Sequence, residues 1–173
     1  MGLIPGDRIS LREAMYSMLL GSDNVAAATL ADHAGRSIQS RSGGLSPEAA
    51  FVTEMNNLAR GLGMQQTRFV NPHGMDGNRS QGISTARDMA RLAIYAMRNP
   101  GFQFYVKQTD RIISSFRVNQ KRSFKVRNTH AMIGRGNVNG IQGGSTAQAG
   151  PCAATSSEKK PIVRKLPTGG TQL

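Results

Sequence analysis

Capping residues followed by apolar residues at helical spacing mark the first hundred positions, and this feature most constrains the fold. Ser10 with Glu13, and Thr85 with Asp88, match the capping box, in which two side chains satisfy backbone N–H groups left unpaired by the first helical turn. Ser46 is followed by a proline, whose missing N–H does no harm at the start of a helix. Apolar residues recur every three or four positions after each signal. The sequence therefore predicts helices at these three starts.

Glycine and proline predict where these helices end. Gly21 is expected to end the first helix and Gly35 to end an alanine-rich second helix over residues 25–33. Gly61 is expected to end the third helix, and Asn99-Pro100 to end the fourth.

Short segments with β-branched residues replace the helical pattern after Phe104. Residues 111–118 and 123–127 are predicted strands with a turn at Asn119-Gln120, and another strand is predicted to begin at Asn139-Gly140. Helices that come first and strands that come later favour an α+β fold over alternating parallel units.

The length of the chain limits the number of domains, and its net charge indicates which kinds of partner it attracts. The 173 residues suit one domain, which we assign to residues 1–155, followed by a basic and partly disordered tail over residues 156–173. A formal net charge of +12 predicts attraction to nucleic acid, anionic lipid or an acidic cell-wall polymer, without choosing among them. A solvated basic face without a specific partner is the alternative.

Residue types that bind metals are sparse. The single cysteine, Cys152, excludes an intrachain disulfide and a multi-cysteine cluster. His33, His73 and His130 lack ligand spacing, so we expect neither a metal nor a cofactor. No apolar run approaches the roughly 20 residues that span a bilayer. Residues 1–7 lack the basic start and apolar stretch of a secretory signal, so we expect the chain to carry no address of its own.

Ser22-Asp23-Asn24 separates the first two predicted helices, and such a tripeptide is usually a cap or a turn. Its surroundings carry a more specific signal, which extends over five ordered segments: residues 10–26, 51–64, 67–76, 84–90 and 138–150. Together these segments resemble the serine D-alanyl-D-alanine carboxypeptidases of the penicillin-binding type.

The resemblance implies a β-lactamase/transpeptidase-like α+β fold, with a helical part and a partial antiparallel sheet, incomplete at both ends. It also implies acyl-transfer chemistry with three motifs. In that family an S-x-x-K motif supplies the nucleophile and its activating lysine, an S-x-N motif forms the opposite wall, and a K-[ST]-G strand holds the substrate carboxylate. By this resemblance Ser22 is the catalytic proton-relay hydroxyl and Asn24 is the amide that holds the substrate.

The third motif is altered. Gln142-Gly143-Gly144 stands at its position, and only the final glycine matches. Gln142 lacks the charge and Gly143 lacks the hydroxyl, and each lost contact to a carboxylate weakens binding by about 1.5–3 kcal/mol. Ser145 and Thr146 follow, and a local shift in register would let them replace the hydroxyl. These five residues are the predicted substrate contacts, and a plain glycine-rich turn is the alternative.

The first motif is not found in the 21 residues that precede Ser22. Ser156 with Lys159, and Ser157 with Lys160, fit S-x-x-K but lie on the wrong side of the S-x-N motif. Covalent catalysis needs a positioned nucleophile and base, so we expect this chain to be inactive alone.

The resemblance implies peptidoglycan stem peptides or β-lactams as ligands and an extracytoplasmic location. Two alternatives remain: a pseudoenzyme that binds peptidoglycan or a partner without cleavage, and a basic nucleic-acid-binding protein. Phe116 and Phe124 lie among the basic residues of the predicted strands, as nucleic-acid binding requires. No nucleic-acid-binding signature accompanies them, so no specific nucleic acid is expected. An anionic cell-envelope polymer fits this basic surface equally well.

Overall fold

The computed structural model describes residues 3–39, 44–77 and 81–158. Within them the helices are α1 (Leu11–Gly21), α2 (Asn24–Gln39), α3 (Pro47–Gly61), α4 (Ala86–Ala96) and α5 (Pro100–Val106). The strands are β1 (Arg8–Ile9), β2 (Asp110–Arg117), β3 (Gln120–Arg127), β4 (Val138–Thr146) and β5 (Gly150–Ser157). Helices precede most of the strands and every strand pair is antiparallel, which confirms the predicted α+β class.

The three predicted helix starts are confirmed. The hydroxyls of Ser10, Ser46 and Thr85 each accept a hydrogen bond from the backbone N–H three residues later, at 3.2 to 3.3 Å. The Glu13 carboxylate also reaches into β2 and accepts a bond from the Ser114 N–H at 3.1 Å. The first capping signal therefore also ties α1 to the sheet.

The predicted end of the second helix is wrong, because α2 continues through Gly35 to Gln39. Gly35 is buried inside the helix, and a Cβ atom there would lie 1.9 Å from the carbonyl oxygen of Pro47. The absence of a side chain lets α2 and α3 approach closely. Contact with a distant helix therefore explains this glycine, and helix termination does not.

A short helix, α5, begins where the sequence predicted only an end. The Asn99 side chain accepts hydrogen bonds from the backbone N–H groups of Gly101 and Phe102, at 2.8 and 3.2 Å. Pro100 fits the first helical position. The Asn-Pro pair therefore starts α5, while α4 ends three residues before Asn99, at Ala96.

Strands β1, β2 and β3 form one antiparallel sheet in that order. The turn between β2 and β3 is formed by Val118 and Asn119, one residue earlier than predicted. Both have positive φ, 45° and 63°, which suits a two-residue hairpin turn because it matches the twist of the strands.

Strands β4 and β5 form a second antiparallel pair. A bulge between Val138 and Ile141 includes Gly140, whose φ is 97° and whose missing side chain lets β4 approach α5. Strand β5 runs through Ser157, past the predicted boundary at residue 155, and residues 159–173 of the predicted tail lie outside the described residues.

The core lies between α1 and the β1–β2–β3 sheet. Its buried side chains are Leu3, Tyr16, Leu20, Ala26, Ile113, Phe124 and Val126. Tyr16 also meets the Tyr105 ring of α5 edge-on, with centroids 4.7 Å apart. This packing fixes the end of α1, where the predicted S-x-N motif begins. In the described part of the chain, no helix has the length and apolar character to cross a membrane.

A buried carboxylate joins α4 to the segment after α3. Asp88 accepts hydrogen bonds from Thr67 Oγ1 at 2.9 Å, Gln66 N–H at 3.0 Å and Arg91 Nη1 at 2.9 Å. Burial raises the pKa of Asp88, but these hydrogen bonds outweigh it and hold that pKa below its ordinary value of 3.8.

We expect Asp88→Asn to lower the free energy of unfolding at neutral pH. Because the folded-state pKa is depressed, the carboxylate stabilises the fold above pH 3.8, and this stabilisation is lost as pH falls through the folded-state pKa. Urea unfolding over a pH series should therefore show that wild type and variant differ less in their free energy of unfolding below about pH 4. Asp32→Asn, at a carboxylate that is 46% exposed, controls for the loss of one charge. A pH-independent difference for Asp88→Asn would contradict this account.

Candidate functional site

Ser22-Asp23-Asn24 forms the tight connection between α1 and α2. Ser22 has left-handed backbone angles (φ 55°, ψ 36°), and its N–H binds the carbonyl oxygen of Ser17 to end α1. Residues other than glycine rarely adopt this conformation, and they do so more often at functional sites. The side chains of Ser22 and Asn24 are both exposed.

The Asp23 carboxylate stabilises this connection by hydrogen bonds to both α1 and α2. One carboxylate oxygen accepts from Ser17 Oγ at 2.8 Å and the other caps α2 by accepting from the Val25 and Ala26 N–H groups at 2.9 and 3.1 Å. The expected cap is therefore present at the middle residue, and the outer two are left for other contacts. Ser17 was not identified from the sequence, because a serine inside a helix gives no local signal of this contact.

Gln142 of β4 contacts Ser22. Its Nε2 donates to Ser22 Oγ at 2.7 Å, across 120 positions of sequence. The structure thus brings one residue of the predicted second motif together with one of the predicted third. Since Ser22 Oγ accepts this bond, its own O–H hydrogen remains available to donate to a ligand.

The other four predicted substrate contacts follow Gln142 along β4. Their pairing with β5 is continuous from Gln142, opposite Ala154, to Thr146, opposite Gly150. The described strand pair therefore lacks the shift in register that would place the Ser145 hydroxyl at the position of Gly143. Thr146 Oγ1 accepts from the Ala149 N–H at 3.1 Å and so supports the turn. Gly144 and Ser145 are exposed. Of these five residues, Gln142 is the one that hydrogen-bonds to Ser22 in the described part of the chain.

Gly143 has space for a side chain. The nearest atom to an added Cβ is the Cys152 carbonyl oxygen at 3.7 Å, an ordinary van der Waals contact, and the φ of Gly143 is not in the left-handed region. Packing therefore does not require glycine here, in contrast to Gly35 and Gly140.

The serines of the two S-x-x-K matches lie elsewhere. Ser157 pairs with Val138, four residues along β4 from Gln142, which corresponds to about 13 Å at the usual rise of a strand. Lys159 and Lys160 lie outside the described residues.

A cleft of about 350 Å³ lies beside the S-x-N connection, between α1 and β3. It is lined by Ser17, Gly21, Asp23, Lys125, Val126, Arg127 and Thr129. Ser22 and Gln142 are not among its lining residues, but Gly21 and Asp23, on either side of Ser22, are. No cluster of three or more potential metal ligands occurs among residues 3–39, 44–77 and 81–158.

Comparisons with known proteins identify the family. The family model for D-alanyl-D-alanine carboxypeptidase, peptidase family S11, matches residues 1–164. A D-alanyl-D-alanine endopeptidase of Pseudomonas aeruginosa is 32% identical over 161 residues, which cover 91% of this chain and 47% of that protein. The endopeptidase of the same name from Escherichia coli is 34% identical over 161 residues, 90% of this chain and 46% of that protein. The chain thus spans about half the length of these relatives.

Solved structures agree with this result. The Streptomyces K15 DD-transpeptidase superposes with a TM-score of 0.78 at 27% identity, over 91% of this chain and 59% of that chain. Penicillin-binding protein D2 of Listeria monocytogenes, in its ampicillin-bound form, gives a TM-score of 0.69 at 28% identity, over 87% of this chain and 56% of that chain. By sequence and by fold, this chain belongs to the D-alanyl-D-alanine carboxypeptidase family of peptidases.

Proposed function

We propose that this chain provides the S-x-N wall and the third-motif strand of a D-Ala-D-Ala peptidase site. We further propose that the 173-residue chain binds the D-Ala-D-Ala end of peptidoglycan stem peptides reversibly, without forming an acyl-enzyme. The observation that carries the proposal is the 2.7 Å hydrogen bond between Gln142 and Ser22, which joins the two motifs. Because such peptides occur in the cell wall, the proposed location is extracytoplasmic.

The roles follow from the chemistry of each group. The Ser22 hydroxyl accepts from Gln142 and keeps a hydrogen to donate toward the leaving group of a bound peptide. The Asn24 amide is exposed and offers two donors and one acceptor, which suits the two ends of a peptide bond. Asp23 holds Ser22 and Asn24 in place without contacting the ligand, because its carboxylate oxygens already bind backbone N–H groups and the Ser17 hydroxyl.

Strand β4 offers a backbone edge to the same ligand. In the described part of the chain β4 pairs with β5, and its other edge has no strand partner. An extended peptide that adds to such an edge gains main-chain hydrogen bonds, while side-chain pockets supply the specificity. A stem peptide lying along β4 near Gln142 would reach Ser22, since these two residues are in contact.

The altered third motif makes the proposed binding weak. Gln142 presents a neutral amide to the terminal carboxylate where a cation would form a charge-assisted hydrogen bond. Ser22 cannot take over as nucleophile, because a neutral hydroxyl needs an adjacent general base, and its described partner is an amide.

Titration with a diacetylated lysyl-D-Ala-D-Ala peptide, followed by calorimetry or NMR, tests the proposed site. Asn24→Ala should weaken binding by about tenfold, since it removes hydrogen bonds to the peptide and leaves peptide groups unpaired. Asn57→Ala, at an exposed asparagine of α3, should bind like wild type. Equal affinity for an L-Ala-L-Ala peptide, or no effect of Asn24→Ala, would overturn the proposed site.

A further inference from the structure

The β2–β3 hairpin presents an exposed face that contributes nothing to the core. Strand alternation and the pairing register place on it Asp110, Ile112, Ser114, Phe116, Lys121, Ser123, Lys125 and Arg127. We call these residues, with Val118 at the turn and Arg8 opposite Phe116 on β1, the hairpin face. The other face of the same strands carries the buried Ile113, Phe124 and Val126.

Three apolar side chains of the hairpin face are open to solvent. Ile112 is 68% exposed, Phe116 50% and Val118 91%. Phe116 and Val118 lie two residues apart at the turn end of the hairpin, and Ile112 lies on the same face four residues before Phe116. Several exposed apolar groups on one face mark interaction surfaces more often than single scattered residues do.

Val118 is unfavourable for the fold at its position. Its φ of 45° lies in the left-handed region, which β-branched residues rarely adopt, and asparagine or glycine would suit this hairpin turn better. Neither the turn geometry nor solubility favours an exposed valine here. This combination points to a contact made outside the chain.

The charges of the hairpin face are mostly positive. Its cations are Arg8, Lys121, Lys125 and Arg127, and its one carboxylate, Asp110, pairs with Lys125 at 3.0 Å. A cleft of about 480 Å³ borders the face and is lined by Arg8, Ile9, Ser10, Phe116, Val118 and Asn119. Here a cation and apolar side chains line the same concave surface, which suits the phosphate and glycerol parts of a lipid headgroup.

We propose that the hairpin face binds the surface of an anionic lipid bilayer. Phe116, Val118 and Ile112 enter the boundary between headgroups and acyl chains, and the surrounding cations contact lipid phosphates. Interfacial elements combine apolar insertion and basic contacts in this way.

Other occupants fit the same observations less well. Stacking of single-stranded nucleic acid requires several exposed aromatic rings, but Phe124 is buried and Phe116 is the one aromatic on this face. A soluble acidic polymer would pair with the lysines and arginines but would leave Ile112 and Val118 in water. Lysines on the edge strand β3 also protect against unwanted strand pairing, which explains the charges and not the apolar residues.

Tryptophan fluorescence tests the proposal directly, because the chain contains no tryptophan. In Phe116→Trp, vesicles with phosphatidylglycerol should shift the emission to shorter wavelength, and brominated lipids should quench it. Tyr95→Trp, at an exposed aromatic of α4, should show neither effect. If Phe116→Trp unfolds by circular dichroism, Val118→Trp at the turn replaces it. An unshifted signal from the hairpin, or equal shifts at both positions, would overturn the proposal.

Vesicle sedimentation with matched variants separates local contacts from overall charge. The triple variant Lys121→Gln, Lys125→Gln, Arg127→Gln should lose about a hundredfold in affinity, at about tenfold per 1.4 kcal/mol. A second triple variant, Arg60→Gln, Arg87→Gln, Arg98→Gln, removes the same charge from α3, α4 and the turn after α4, and should lose much less. The pair Ile112→Ser, Val118→Asn keeps every charge and should still weaken binding by about tenfold or more. Unchanged vesicle binding by the pair Ile112→Ser, Val118→Asn would show that apolar side chains do not insert into the bilayer. Equal losses of affinity in both triple variants would show that the chain is attracted to polyanions in general. Either result would overturn the proposal.

Discussion

Replacement of Gln142 by lysine and Gly143 by threonine is expected to strengthen binding of a D-Ala-D-Ala peptide by about a hundredfold. This change restores a positive charge and a hydroxyl, each worth at least about 1.5 kcal/mol to a carboxylate ligand, and about 1.4 kcal/mol corresponds to tenfold. The structure accommodates both side chains. Gln142 Nε2 already lies 2.7 Å from Ser22 Oγ, and a Cβ at Gly143 meets no atom closer than 3.7 Å.

Calorimetric titration of wild type and variant with the same peptide measures this gain. Gln148→Lys adds one positive charge at the exposed turn between β4 and β5, so it controls for a general increase in charge. A similar gain in peptide affinity from Gln148→Lys would show that the added positive charge strengthens binding wherever it lies. No gain from the double variant would show that the strand position of Gln142 and Gly143 does not hold the peptide carboxylate.

Gly35→Ala is expected to destabilise the fold by about 3 kcal/mol, at the upper end of the usual cost of overpacking. The added Cβ would lie 1.9 Å from the carbonyl oxygen of Pro47 and 2.4 Å from its carbonyl carbon. Both atoms belong to the backbone, so no side-chain rotation relieves the clash. Helices α2 and α3 would have to separate, and Asn24 at the start of α2 would move with them.

Urea unfolding of Gly35→Ala beside Gly61→Ala tests this packing. Gly61 is the last residue of α3 and has no atom within 4 Å of an added Cβ. Alanine there should be neutral or stabilising by up to about 1 kcal/mol, because it favours the helix. Equal stability of Gly35→Ala and wild type would contradict the close approach of α2 and α3.

Local chemistry explains what the sequence predicted well. Ser10, Ser46 and Thr85 each bind a backbone N–H within their own helix, so their sequence neighbours are sufficient to locate the helix starts. The strands of the β2–β3 hairpin were also predicted, because β-branched residues and the turn lie within one short segment. The turn was misplaced by one residue, since Val118 adopts a conformation that its residue type disfavours.

A contact between distant segments explains the wrong helix end. The sequence predicts an end at Gly35, but the backbone of α3 determines why this residue is glycine. Periodicity does not separate the two roles, because helix ends and close helix contacts both use glycine. The start of α5 is different, because Asn99 caps it through local bonds and follows the same rule as Ser46 before its proline.

The candidate site also has one part that a local motif predicts and one part that depends on a contact between distant residues. A short motif and its family-like neighbours point to Ser22 and Asn24, and the chemical roles of these residues stay predictions. The bond from Gln142 to Ser22 spans 120 positions, so no local pattern contains it. The assignment of Gln142-Gly143-Gly144 to the third motif also stays a prediction, with a plain glycine-rich turn as the alternative.

Intact-protein mass spectrometry after incubation with benzylpenicillin tests the central claim most directly. A penicillin ester on a serine is stable enough to weigh and reports acyl-enzyme formation, the first step of the family's chemistry. We expect an unchanged mass for the 173-residue chain and for its Gln142→Lys, Gly143→Thr variant, while both bind the D-Ala-D-Ala peptide reversibly. A mass increase of one penicillin that maps to a serine of the wild-type chain would contradict it, because that serine would then be a competent nucleophile.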